Sequence, residues 1–152
     1  MSVTSLVGSP TDPSPHALYE RGRSFYEAGD PEAALTYLRA AQEADGHSAR
    51  IQSYYGLCLG LVDRRFEEAS ELCQAAAKRE FFNPDLYLNL ARLYLGFGFK
   101  SEAIRFLRRG LMIDPGNAAI ESSLRELGDR LAPVLRFLPR QHRLNRWLGT
   151  AR

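Results

Sequence analysis

His16, His47, His142, Cys58 and Cys73 are the side chains best suited to ligate a metal or attack a substrate. Their spacing supports neither. None of them forms the close Cys/His pairs of a zinc site, and no Asp or Glu is set beside a histidine as an acid and a base. Gly96-Phe97-Gly98 lacks the GxxxxGK setting of a phosphate cradle and reads as a turn between helices. The histidines read as surface or boundary residues. Cys58 and Cys73 fall at helical core positions, as buried free thiols in preference to a disulfide. The expectation is no catalytic residue, no metal and no cofactor, and therefore not an enzyme.

Charge narrows the field further. Residues 133–152 hold five arginines and no acidic residue, whereas residues 1–132 hold 15 basic and 18 acidic side chains, a net of −3. A mildly acidic body thus carries a basic tail. Nothing on the body extends a basic track, so nucleic acid is not an expected partner. No apolar run approaches the ~18 residues of a membrane span. Met1 to Pro15 lacks the charged start and apolar centre of a secretory signal, which leaves the cytoplasm as the expected location.

The elements that would position any binding residues are helices. Residues 84–117 are the clearest stretch. Asn83 is placed to cap a first helix, Pro84 to begin it, and Leu86, Leu90, Leu93 and Phe97 recur at helical spacing. Gly96 and Gly98 stop it. A second helix from Phe99 or Lys100 to Ile113 buries Ala103, Ile104, Leu107 and Leu111, and Asp114-Pro115-Gly116 ends it. The pattern recurs upstream. Gly22, Gly56 and Ala91 are small at spacings of 34 and 35, and Ala34, Ala69 and Ala103 at spacings of 35 and 34. Ala41, Ala76 and Gly110 repeat this near the end of each second helix. Phe25, Leu59 and Tyr94 form a filler series, with Leu38, Cys73 and Leu107 as its counterpart. One extra residue lies between Gly56 and Ala69, near Asp63-Arg64-Arg65.

Tyr87, Leu90, Ala91, Tyr94, Ala103, Leu107 and Pro115 stand at the offsets of a two-helix signature of about 34 residues. The chain therefore resembles the tetratricopeptide repeat family. Arg21 and Gly46 in the first unit, and Gln52 and Phe81 in the second, depart from that signature. The implied fold is all-α, an α-solenoid of three helix pairs over residues 15–48, 49–83 and 84–117. Helices are expected near 16–28, 31–44, 48–62 and 65–79. A capping helix over 118–132, running to about Leu131, carries an apolar stripe of Ile120, Leu124, Leu127 and Leu131. Residues 1–14, rich in Ser, Thr, Pro and Gly, read as a disordered lead. Residues 133–152 form a basic-apolar tail that also looks like the closing segment of some bacterial proteins of this class.

In that family the first helix of each pair lines a concave groove. Carried over residue by residue, the resemblance implies a partner-binding groove of Tyr19, Arg23 and Tyr26, then Tyr54, Leu57 and Leu61, then Leu88, Asn89 and Arg92. Leu57, Leu61, Leu88 and Leu95 would make an apolar floor, and Arg23, Asn89 and Arg92 would hold a carboxylate or peptide backbone. The paired lysines and asparagines with which some members clamp a chaperone's C-terminal carboxylate are lacking. For the tail (Phe137, Arg140, Arg143, Trp147) three readings stay open: packing back on the solenoid, contact with a partner or an anionic membrane surface, and, least favoured, contact with nucleic acid. The expected function is a non-catalytic module that binds a peptide or helix of another protein. The alternatives are a secretion-type chaperone or assembly factor for one client, and a scaffold that self-associates.

Overall fold

A computed structural model describes residues 13–128, which fold into seven helices. They are α1 (Pro15–Glu27), α2 (Pro31–Ala44), α3 (Ala49–Asp63), α4 (Phe66–Arg79), α5 (Pro84–Gly96), α6 (Lys100–Ile113) and α7 (Ala118–Glu126). Most of the lead at 1–14 and the whole tail at 133–152 lie outside the described residues.

Local chemistry explains most of the helix starts. Ser14, Asp30, Ser48, Asn83 and Asn117 each accept a backbone N–H of the first turn, and Pro15, Pro31 and Pro84 occupy first helical positions. Helices α4 and α6 have no such side-chain cap. Their first turns carry Glu67, Glu68 and Glu102, whose charge suits the exposed N–H groups there.

The chain pairs α1 with α2, α3 with α4 and α5 with α6. The turns inside the first and third pairs place Gly29 at φ 84° and Gly98 at φ 82°, in the left-handed region that glycine enters freely. The middle pair solves the same turn with Arg64 at φ 58°. Here α3 runs to 15 residues, against 13 for α1 and α5, and the extra residue is absorbed by this longer helix and a shorter turn.

Small side chains set the pairing distance. A Cβ on Gly22 would lie 3.3 Å from the Ala34 carbonyl, and one on Gly56 would lie 3.1 Å from the Ala69 carbonyl. The two positions are thus equivalent contact points, and Ala91 is fully buried in the third pair. Leu38, Leu59, Leu93 and Leu107 fill the gaps, each contributing on the order of 1.5–3 kcal/mol by burial. Between pairs, α3 touches both α1 and α5, so the first helices form one continuous face. The second helices α2, α4 and α6 form the outer layer.

Helix α7 covers the last pair. Ile120 and Leu124 join Leu88, Ala91, Ala103 and Leu107 in one buried cluster, with Leu127 against its edge. The helix ends at Glu126, short of the expected Leu131. Gly128 at φ 74° donates its N–H to the Arg125 carbonyl and closes the last turn. Leu131 itself lies outside the described residues.

Candidate functional site

The face made by α1, α3 and α5 brings three tyrosines together. The rings of Tyr19 and Tyr54 meet edge-on at 5.7 Å, and those of Tyr26 and Tyr54 at 6.0 Å. Tyr19 and Tyr26 lie two turns apart on α1, so both reach Tyr54 on the neighbouring helix. His16 extends the row, its ring 6.3 Å from that of Tyr19. From α5, Arg92 completes the group, its guanidinium carbon 5.5 Å over the Tyr26 ring.

Burial raises the Tyr19, Tyr26 and Tyr54 hydroxyls above the ordinary tyrosine range; at Tyr26 and Tyr54 the positive charge of Arg92 pulls the other way. All three are neutral phenols at physiological pH, able to donate or accept a hydrogen bond.

The three polar residues expected to anchor a partner differ in what they leave available. Arg23 is flanked by Glu20 at 3.1 Å and Glu27 at 3.4 Å, which neutralise it. Asn89 is 1% exposed. Its amide nitrogen donates to Ser53 Oγ at 3.2 Å, and its oxygen accepts from Arg92 at 3.2 Å. Asn89 therefore ties α5 to α3 and orients Arg92, and offers no surface of its own. Arg92 pairs with no carboxylate among the described residues, so its charge is left to give.

The apolar floor also differs from expectation. Leu57 is fully enclosed in the core between α3, α4 and α5, and Leu88 is buried toward α6 and α7. Both are corrected from groove floor to interior: α4 and α5 close over Leu57, and α6 and α7 cover Leu88. Leu61 and Leu95 keep part of their surface. Phe137, Arg140, Arg143 and Trp147 lie outside the described residues. Ser53 is fully buried on α3. Its bond to Asn89 spans 36 residues in sequence, a pairing that no local pattern announces.

The three phenols and the Arg92 guanidinium offer hydrogen bonds and one positive charge. Cys58 and Cys73 are free and buried, and burial pushes both thiols up to about 12, far from the range of a nucleophile. Among the described residues no group of three or more His, Cys, Asp or Glu could hold a metal ion. No described helix is long and apolar enough to cross a membrane.

Comparison with known proteins agrees with this geometry. Two family models, both described as Tetratricopeptide repeat, match residues 19–79 and 61–127. The TPR repeat-containing protein YpiA of Bacillus subtilis is 26% identical over 110 residues, covering 69% of this chain. This chain spans only 25% of YpiA. Among solved structures, the second TPR domain of human RPAP3 in complex with an HSP70 peptide superposes with a TM-score of 0.56 at 21% identity, covering 77% of this chain and all of that one. PcrH in complex with the chaperone binding region of PopB superposes with a TM-score of 0.54 at 21% identity, covering 75% of this chain and 91% of that one. The matched stretches together run from residue 19 to 127, through the three helix pairs and their cap, and the chain belongs to the tetratricopeptide repeat family.

Proposed function

We propose that this protein is a non-catalytic interaction module that holds a segment of a partner protein against the α1–α3–α5 face. The observation that carries the reading is the convergence of Tyr19, Tyr26 and Tyr54 with Arg92, a cation that no carboxylate neutralises among the described residues. Tyrosine supplies large contact area with few rotatable bonds, and tyrosine and arginine are enriched in binding hot spots. Neutral phenols suit the carbonyl and N–H groups of a main chain, and Arg92 suits a carboxylate. Helices of this length give a face about 20 Å long, room for about six residues of extended chain. So short a contact buries little area, and binding is weak to moderate unless a second contact adds to it.

The family membership and the peptide complexes of RPAP3 and PcrH support this reading. The likeness to PcrH favours one variant of it, a chaperone or assembly factor for a single client. The two free thiols fit a reducing compartment such as the cytoplasm. The test is the affinity for a protein that co-purifies from the native host. The Tyr54→Ala/Arg92→Ala double variant binds it at least about tenfold more weakly while keeping its helical circular dichroism. Equal affinity would move the binding surface elsewhere.

A further inference from the structure

The outer layer holds a second surface that the groove reading does not use. Between α4 and α6 lie two adjoining cavities of about 560 Å³ and 390 Å³, which share Gln74, Phe106 and Arg109 as walls. Their floor is α5, through Tyr87, Leu90 and Tyr94. The floor is held in place by its own hydrogen bonds. The Tyr87 hydroxyl donates to the Phe81 carbonyl at 3.3 Å and accepts from Arg109 Nε at 3.4 Å, while Gln74 donates to the Tyr94 hydroxyl at 3.3 Å.

Two features distinguish this trough from ordinary helix surface. Phe81 at 64% exposure and Met112 at 83% line it, and Phe82 at 63% meets Phe81 edge-on at 5.7 Å. These are three of the four exposed large apolar side chains among the described residues. The rim is also of one sign. Lys78, Arg105 and Arg109 stand against Glu102, a net of two positive charges on a body whose residues 1–132 are net negative.

An apolar trough between two exposed 14-residue helices, about 21 Å long by the rise per residue, suits a third helix laid along it. The basic rim selects the sign of that helix. The chain's own tail, with five arginines and no acid, carries the wrong charge for it. We propose that the α4–α6 trough docks an acidic amphipathic helix of a partner protein, separately from whatever binds the α1–α3–α5 face.

Met112 reports on this site directly, because the sequence has only one other methionine, Met1. The full chain, labelled with 13C at the methionine methyls, is titrated with a synthetic amphipathic peptide of about four turns. The peptide carries leucines at i, i+3, i+4 and i+7 and glutamates elsewhere; a second peptide has lysines in place of the glutamates. The acidic peptide is expected to move the Met112 resonance saturably and leave Met1 in place. The lysine peptide is expected to bind at least about tenfold more weakly. Arg105→Glu, on an exposed position of α6, is expected to lower the acidic peptide's affinity about tenfold with the circular dichroism spectrum unchanged. If that variant does not fold, the two peptides on the unaltered chain still decide. Equal binding of both peptides, or of neither, overturns the proposal. So does a Met112 methyl already in contact with the Trp147 ring in the free chain, which would make the tail the occupant. A Met112 shift that follows protein concentration alone overturns it in favour of a second copy.

Discussion

Arg92 on the fifth helix stands over the ring of Tyr26 on the first, 5.5 Å from its centre, so the third helix pair reaches the first across α3. The contact shows how closely the first helices gather. The same closeness buries Leu57 and Asn89 and leaves Tyr54 between the two tyrosines of α1.

Gly60 is where α3, α4 and α5 meet. A Cβ there would lie 2.4 Å from Leu93 Cδ1 and 2.8 Å from the Ala69 Cβ, and the second of these cannot swing away. Gly60→Ala is expected to destabilise the fold by about 1–3 kcal/mol in urea titration. Gly46→Ala, whose added Cβ would meet nothing nearer than 3.6 Å, is expected to change it by less than about 0.5 kcal/mol. Equal melting of the two variants would mean that the three helices do not converge at residue 60.

Arg64 holds a left-handed conformation where the other two turns use glycine, which costs a side-chain-bearing residue about 1–2 kcal/mol. Its guanidinium donates to the Gly96 carbonyl at 3.2 Å and lies 4.0 Å over the Phe97 ring, contacts of about 0.5–1 kcal/mol each that offset this. Arg64→Ala keeps the strain and loses the contacts; Arg64→Gly loses both. The alanine variant is therefore expected to melt at a lower temperature than the glycine variant. The reverse order would show that backbone strain is not what Arg64 compensates.

Alkaline pH should loosen the protein. The Cys58 and Cys73 thiols are held near 12 in the fold against an ordinary value near 9. The folded state therefore keeps two protons that the unfolded chain releases. Their contribution is fully present below pH 9 and is lost as pH rises toward 12, by about 1.4 kcal/mol per unit for each thiol. Thermal melts from pH 7 to 10.5 are expected to fall steeply above pH 9, and less steeply in Cys58→Ala/Cys73→Ala. Equal slopes would mean that the thiols titrate alike in both states.

The helices were legible because their punctuation is local. Asp30-Pro31 and Asn83-Pro84 mark starts, Gly29 and Gly98 mark turns, and Gly22, Gly56 and Ala91 return in register. The binding face was legible only in part. A repeat position assigns a residue to the first-helix face, and it does so alike for Tyr54, which stays partly exposed, and for Leu57, which does not. What separates them is how far α5 closes on α3, and that depends on Gly60 meeting Leu93 and on Asn89 meeting Ser53, contacts 33 and 36 residues apart. The α4–α6 trough was missed for a related reason. Phe81 departs from the repeat signature, and its place beside Arg109, in a cavity adjoining that of Met112, appears only once the second helices stand side by side.

The account turns on a partner segment lying against Tyr19, Tyr26, Tyr54 and Arg92. A photo-crosslinking amino acid placed at Glu27, an exposed neighbour of this face on α1, tests it in the native host, with the same group at exposed Thr36 on α2 as the comparison. The account predicts a discrete adduct from position 27 that disappears when Tyr54→Ala and Arg92→Ala are added, and none from position 36. Adducts of equal yield at both positions, or a position-27 adduct indifferent to those two substitutions, would contradict it.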